Sequence, residues 1–158
     1  MIQWELKTAV GSMFIVASEK GLRGIYWKKQ DIPFASSLRD RTEGMCMVRE
    51  TVEQIESYLR GDLKKFTLQL DLIGTEFQKL VWAELLKIPY GKTLSYKELA
   101  EKVNKPKACR AVGTANGRNP ISIVVPCHRV IASDGTLGGY AGGLPAKSKL
   151  LALESLKL

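Results

Sequence analysis

The chain has 158 residues, of which 45% are hydrophobic and 25% charged, enough apolar content for one ordinary domain or two small ones and too much for a disordered polymer. No run approaches the roughly 18 apolar residues of a membrane span, and the start, Met1-Ile2-Gln3-Trp4-Glu5, lacks the basic and apolar regions of a signal peptide, so a cytoplasmic protein with no membrane partner is expected. The net charge is +8, and three widely spaced cysteines (Cys46, Cys109, Cys127) with one histidine and no C-x-x-C pair argue against a disulfide framework and against zinc, so neither metal nor cofactor is expected.

Residues 2–7, 13–18 and 22–27 are short, rich in β-branched and aromatic side chains, and punctuated by Gly11 and by Glu19-Lys20-Gly21, which predicts an antiparallel meander. Met45, Val48, Val52, Ile55 and Leu59 then recur at helical spacing up to Gly61, a helix with one buried face and a glycine stop. Residues 62–74 read as a last strand and a linker. This first domain, 1–74, holds no constellation of chemical groups and reads as a scaffold.

The second domain, 75–158, opens with Thr75-Glu76-Phe77-Gln78, a capping box that starts a helix with Phe77, Leu80, Val81, Leu85 and Ile88 on one face, ended by Pro89-Tyr90-Gly91. Ser95-Tyr96-Lys97-Glu98 is a second capping box, opening a helix to about Val103. After Asn104-Lys105 a third helix is predicted, with Pro106 at its first position, running to about Gly117. Two short helices joined by a tight turn resemble a helix-turn-helix. The β-branched run 121–125 reads as a buried strand that Pro126 ends, and a final helix over 145–156 is expected to pack Leu150, Leu151 and Leu153.

The charge is unevenly divided, with 11 Lys/Arg and 10 Asp/Glu in residues 1–74 against 13 and 6 in residues 75–158. A cationic second domain suits phosphate. Readers of the major groove project Arg, Asn or Gln to base edges, whereas the third helix offers Ala108, Cys109, Ala111, Val112, Gly113, Thr114 and Ala115 around a single Arg110, a surface that can lie close to a groove but reads little. Arg110 could enter the base stack; the same small residues would equally let helices pack closely inside the protein. The most informative stretch is Pro126-Cys127-His128-Arg129-Val130. An ordinary thiol, with a pKa of roughly 8.5, is mostly protonated at neutral pH and needs a neighbouring base or cation to react. The chain's one histidine is adjacent. A lone Cys beside an apolar run is otherwise a small buried hydrophobe. Because neighbouring strand residues face opposite ways, a bridging water between Cys127 and His128 is expected.

Taken together, Pro126 to Val130 in register with Arg110-Ala111-Val112-Gly113, Asn119-Pro120, Gly138-Gly139-Tyr140 and Leu150-Leu151-Ala152-Leu153-Glu154 resembles the O6-alkylguanine-DNA alkyltransferase family, in its bacterial Ogt-like pattern. The resemblance is close over about 75–154 and loose over 1–74. It implies an α+β fold: a small α/β, ribonuclease H-like first domain and a helical second domain with a winged helix-turn-helix-like DNA-binding motif. It implies a repair protein, a methylated-DNA-protein-cysteine methyltransferase that flips O6-alkylguanine out of duplex DNA through the minor groove and moves the alkyl group irreversibly to its own cysteine. By the resemblance Cys127 is the acceptor nucleophile, His128 the base that acts through a water, and Glu154 the carboxylate orienting it. Tyr96 hydrogen-bonds the flipped guanine, Arg110 replaces it in the duplex, and Asn119 is a hinge amide. The backbone of Cys127 and Val130 accepts from the guanine amino group. Ala111, Thr114, Ala115 and Tyr96 join Arg110 at DNA, and Val130, Tyr140, Ala141 and Arg129 form the substrate pocket. A monomer is expected, and O4-alkylthymine stands as a second candidate substrate.

Three departures bear on this. Ala141 stands where some members have serine, and Cys109 where alanine is usual. No His or Cys precedes Cys46, so the N-terminal zinc of some members should be absent. The rival readings are a non-catalytic alkyltransferase-like lesion binder, against which Cys127 argues, a helix-turn-helix regulator, which would need base-reading side chains, and a cysteine hydrolase, for which no oxyanion pocket is suggested.

Overall fold

In the computed structural model, which describes residues 1–155, the chain forms two compact units, Met1–Ile73 and Gly74–Leu158. In the first, β1 (Ile2–Thr8), β2 (Gly11–Ser18) and β3 (Gly21–Tyr26) form the expected antiparallel meander in that order. Strict alternation fails along β2, where Ile15, Val16 and Ala17 are all buried. The register shifts there, since Val16 faces Gly24 and Ala17 faces Leu22, which leaves Arg23 as an extra residue on β3, the signature of a bulge. Helix α1 (Glu43–Leu59) buries Met45, Val48, Val52 and Ile55 as predicted, but Tyr58 and not Leu59 fills its last core position. Gly61, at φ 83, closes it with bonds from Gly61 N to Tyr58 O (2.9 Å) and Asp62 N to Ser57 O (2.9 Å), a turn that needs a left-handed residue.

The strand expected within 62–74 is reduced to one parallel bridge at Leu22, made by Leu22 N to Gln69 O and Asp71 N to Leu22 O, both 2.8 Å. The bulged Arg23 follows at once and turns its side chain onto Asp71 (3.0 Å), so pairing cannot continue.

In the second unit, α2 (Glu76–Leu85) starts at the predicted capping box, with Gln78 N to Thr75 Oγ1 at 3.1 Å and Thr75 N to Gln78 Oε1 at 2.9 Å. Its buried stripe is rotated from the predicted one. Val81, Trp82 and Leu85 are inside while Leu80 is 43% exposed, because Trp82 Nε1 donates to Ala115 O (2.9 Å) and brings that side inward. A two-residue strand β4 (Leu94–Ser95) leads into α3 (Tyr96–Lys102), capped by Ser95 and Glu98 as predicted. Asn104, at φ 59, closes α3 through Asn104 N to Glu101 O (3.0 Å) and Lys105 N to Ala100 O (2.9 Å).

Helix α4 (Cys109–Gly117) begins three residues later than expected. Pro106 instead sits second in a turn closed by Ala108 N to Lys105 O (2.9 Å), a position that proline's fixed φ favours. The segment 121–125, expected as a strand, is a buried turn. It runs into a 3₁₀ turn (Cys127–Arg129) and β5 (Val130–Ile131), which pairs in parallel with β4. The final helix, α5 (Leu144–Ser155), buries Ala146, Lys147, Leu150 and Glu154, whereas Leu151 and Leu153 are half-buried; Leu156, in the predicted span, lies outside the described residues. Among the described residues no helix is long and apolar enough to cross a membrane.

Candidate functional site

Cys127 is held by the turn before it. The amide of Asn119 takes over the role a neighbouring strand would play: Nδ2 donates to Val125 O (2.7 Å) and Oδ1 accepts from Ile121 N (3.0 Å). Inside that clamp Val125 N reaches Ile121 O (3.0 Å) and Val124 N reaches Ser122 O (2.9 Å), with Ile123 at φ 73. A β-branched residue in the left-handed region is strained by about 1–3 kcal/mol and persists only where its surroundings enforce it. Pro126 (φ −81, ψ 63) then forms an inverse γ-turn through Cys127 N to Val125 O (2.8 Å). Cys127 therefore opens the 3₁₀ turn instead of ending a strand, and it is only 5% exposed.

Behind it, Glu154 on α5 gathers a buried network. His128 Nε2 lies 2.7 Å from Glu154 Oε2, Arg129 donates through Nε to Oε1 (2.8 Å) and through Nη2 to Oε2 (3.0 Å), and Gly91 N reaches Oε1 (3.2 Å). The forked pair with a permanent cation keeps the carboxylate ionised. An ionised carboxylate only accepts, so Nε2 carries the imidazole proton and Nδ1 the basic lone pair. Burial holds His128 below its ordinary value, against the hydrogen bond and charge of Glu154. Arg129, expected in the substrate pocket, is turned the other way: besides Glu154 it donates to Ile88 O (2.7 Å) and is buried.

A groove of about 600 Å³ is lined by Tyr96, Cys109, Arg110, Asn116, Gly138, Tyr140 and Ala141, among others. The β4–β5 pairing, Leu94 with Val130 and Ser95 with Ile131, fixes Tyr96, the first residue of α3, against the turn that carries Cys127. Gly138 packs on Tyr96 at φ 72, where a Cβ would come within 2.8 Å of the phenol oxygen, so a side chain here would be strained and would have to displace the phenol. Three lining residues reach Cys127: Asn116 Nδ2 donates to its backbone carbonyl (3.5 Å), and the phenols of Tyr96 and Tyr140 both interact electrostatically with its thiol. Burial raises both phenols, that of Tyr140 well above its ordinary value. Burial also pushes the Cys127 thiol up, while the Asn119 side chain and the Lys147 charge pull it down.

Val130, expected in the pocket, is buried; its carbonyl accepts from Lys147 Nζ (2.7 Å). On α4, Arg110, Ala111 and Thr114 are exposed, but Ala115, expected beside them at DNA, is 3% exposed and its carbonyl holds Trp82. A second groove of about 600 Å³ flanks α4, lined by Thr75, Gln78, Lys107, Arg110, Thr114 and Arg118 among others.

Residues 76–156 match the family described as 6-O-methylguanine DNA methyltransferase, DNA binding domain, and residues 5–72 match its ribonuclease-like domain. The chain belongs to this family. A methylated-DNA-protein-cysteine methyltransferase of Methanosarcina barkeri is 46% identical over 157 residues, 97% of this chain and 96% of the relative. One from Mycobacterium leprae is 59% identical over 105 residues, 66% of this chain and 64% of the relative. The crystal structure of Mycobacterium tuberculosis OGT in complex with DNA aligns at a TM-score of 0.86 and 39% identity, covering 99% of this chain and 94% of that one. The α+β fold of the O6-methylguanine DNA methyltransferase family is thus the fold found here, a ribonuclease-like unit followed by a helical DNA-binding-domain unit.

Of the residues singled out from sequence, Cys127, His128, Glu154, Asn119 and Tyr96 converge, while Arg129 and Ala115 lie elsewhere than expected. Asn116 and Lys147 were missed. Asn116 sits three residues before Asn119, which gave a spacing signal for a shared face; nothing local marks Lys147.

Proposed function

We propose that the protein repairs alkylated DNA once per molecule, binding duplex DNA by the minor groove, drawing O6-alkylguanine into the groove beside Tyr96 and moving its alkyl group to Cys127. The observation that carries this reading is the buried line Cys127, His128, Glu154, in which the carboxylate fixes the imidazole tautomer and the thiol lies behind a base-sized groove. His128 Nδ1 takes the Sγ proton through a water. The thiolate attacks the alkyl carbon, a C–S bond forms as the C–O6 bond breaks, and the electron pair leaves on guanine. The raised phenol of Tyr96 stays protonated and donates to the departing base. The carbonyl of Cys127 accepts from the guanine amino group, and Tyr140 and Ala141 bound the alkyl end.

Arg110, exposed on α4, fills the space the extruded nucleotide leaves, and Ala111 and Thr114 let the helix lie close to the groove. Flipping costs a few kcal/mol and least for a poorly paired base, which favours lesions without direct readout. No group near Cys127 can cleave a thioether, so the protein is consumed. It acts as a cytoplasmic monomer. A lesion binder that does not transfer is the alternative, and the presence of a thiol backed by a base favours transfer.

Incubation with duplex DNA containing O6-methylguanine should add one methyl per molecule, on the peptide that holds Cys127, as read by intact and peptide mass. Labelling of Cys109 or Cys46, or more than one turnover, would overturn the reading. The same assay with O4-methylthymine tests the second substrate.

A further inference from the structure

Lys147 lies on the inward face of α5 and is 0% exposed. Its ammonium has three protons, and each has a carbonyl: Val130 O (2.7 Å), Gly139 O (3.2 Å) and Leu137 O. Among the described residues no carboxylate pairs with it. A lysine buried with carbonyls alone is rare, because desolvating a charge is costly and an uncharged donor would tie the same oxygens together for less. What the charge does have within electrostatic reach is Cys127: burial lowers the Lys147 value and a thiolate there would offset this by drawing it up, while the thiol, raised chiefly by burial, is drawn down by the lysine.

Two further placements bear on this. Val130 N donates to Cys127 O, so the carbonyl that Lys147 holds belongs to the residue ending the turn opened by the thiol. Leu137 and Gly139 flank Gly138, which packs on the Tyr96 phenol, and the groove wall continues through Tyr140 and Ala141. We propose that Lys147 is a positioning residue of the transfer reaction: it ties the 137–139 wall of the groove to Val130 and presents an ammonium without a carboxylate partner to the sulfur that must become a thiolate. This rests on Cys127 being the alkyl acceptor. The other groups facing the thiol do not supply that charge. His128 is neutral, the phenols of Tyr96 and Tyr140 are raised, and the Arg129 cation is matched by Glu154. Lys147 keeps its proton throughout; the Sγ proton goes to His128 and the carbon forms its bond to sulfur.

The test compares Lys147→Met, Lys147→Gln and Lys147→Arg in the full chain. Carboxamidomethylation of Cys127 by iodoacetamide, followed on its own peptide against pH, reads the thiolate without reference to DNA. A charge of opposite sign within a few ångströms shifts a neighbour by about 1 unit or more, so the profile midpoint should rise by about that in the Met and Gln variants and return with Arg. An unmoved midpoint in Lys147→Gln, which can still donate to the carbonyls, overturns the electrostatic role even if Lys147→Met does not fold. Transfer from O6-methylguanine duplex should fall by about tenfold or more in Gln at neutral pH and recover as pH rises; a loss that high pH does not recover also overturns it. If the parent protein takes no methyl from DNA while the iodoacetamide profile still shifts, the repair reading has failed and the charge assignment has not.

Discussion

Glu154 accepts from His128, twice from Arg129 and from the Gly91 amide, which uses all the lone pairs a carboxylate offers. That saturation is what keeps His128 neutral inside the protein: Arg129 already neutralises the carboxylate, so a second cation has little to gain and must still be desolvated. Folding therefore lowers the His128 value below the roughly 6.5 of an exposed imidazole. The sign follows. Between the two values the unfolded chain binds the proton and the folded chain does not, so the contribution to stability is complete above about pH 6.5 and is lost as pH falls through that window, at up to about 1.4 kcal/mol per unit. Asp71 is also lowered, first by its Ser18 hydrogen bond, but from an ordinary value of 3.8, so it acts further down. Thermal midpoints measured from about pH 8 to pH 5 should fall below about 6.5 in the parent and stay nearly flat in His128→Asn. Equal slopes in the two proteins would show that His128 is not the group responsible.

Between α3 and α4 the chain reverses through Asn104, exposed and at φ 59, with its amide and that of Lys105 bonded back to the helix end. Alanine there carries a left-handed penalty of about 1 kcal/mol that glycine escapes. Urea unfolding should accordingly rank Asn104→Gly at or above the parent and Asn104→Ala about 1 kcal/mol below it; an alanine variant as stable as the glycine one would mean the turn does not constrain this residue. This is also the scale at which the sequence was most and least informative. The capping boxes at Thr75 and Ser95 were legible because every atom in them lies within three residues. The turn over 121–125 was not: its apolar, β-branched composition is that of a strand, and what bends it is the side-chain amide of Asn119, which no periodicity reports. Likewise a lysine on a helix otherwise reads as solvated, and only the convergence of carbonyls from residues 130, 137 and 139 brings Lys147 inside. Arg129 beside the reactive pair read as pocket, since its carboxylate is 25 residues away along the chain.

Across the molecule, nearly all of the +8 net charge resides in residues 75–158, with 13 Lys/Arg against 6 Asp/Glu. Exposed Arg110 and Thr114 line both grooves that flank α4, and Lys107 and Arg118 stand on the second of them, away from the thiol. A protein that must find one damaged base in any sequence cannot spend its contacts on base edges, and α4 offers few groups that could make them. Affinity then has to come from phosphates, whose neutralisation releases counterions and makes binding fall with salt. Each phosphate contact removed should lower the slope of log affinity against log salt by about 1. Lys107→Ala and Arg118→Ala are therefore expected to weaken binding to undamaged and lesion duplexes alike, each with a slope shallower by about that amount, while transfer at saturating DNA keeps the parent rate. Titrations over a salt series, paired with quench-flow transfer on the same duplexes, make the measurement. Loss of transfer at saturation would place these residues in the reaction and not in docking, and a slope unchanged in both variants would put the DNA on a different face of α4.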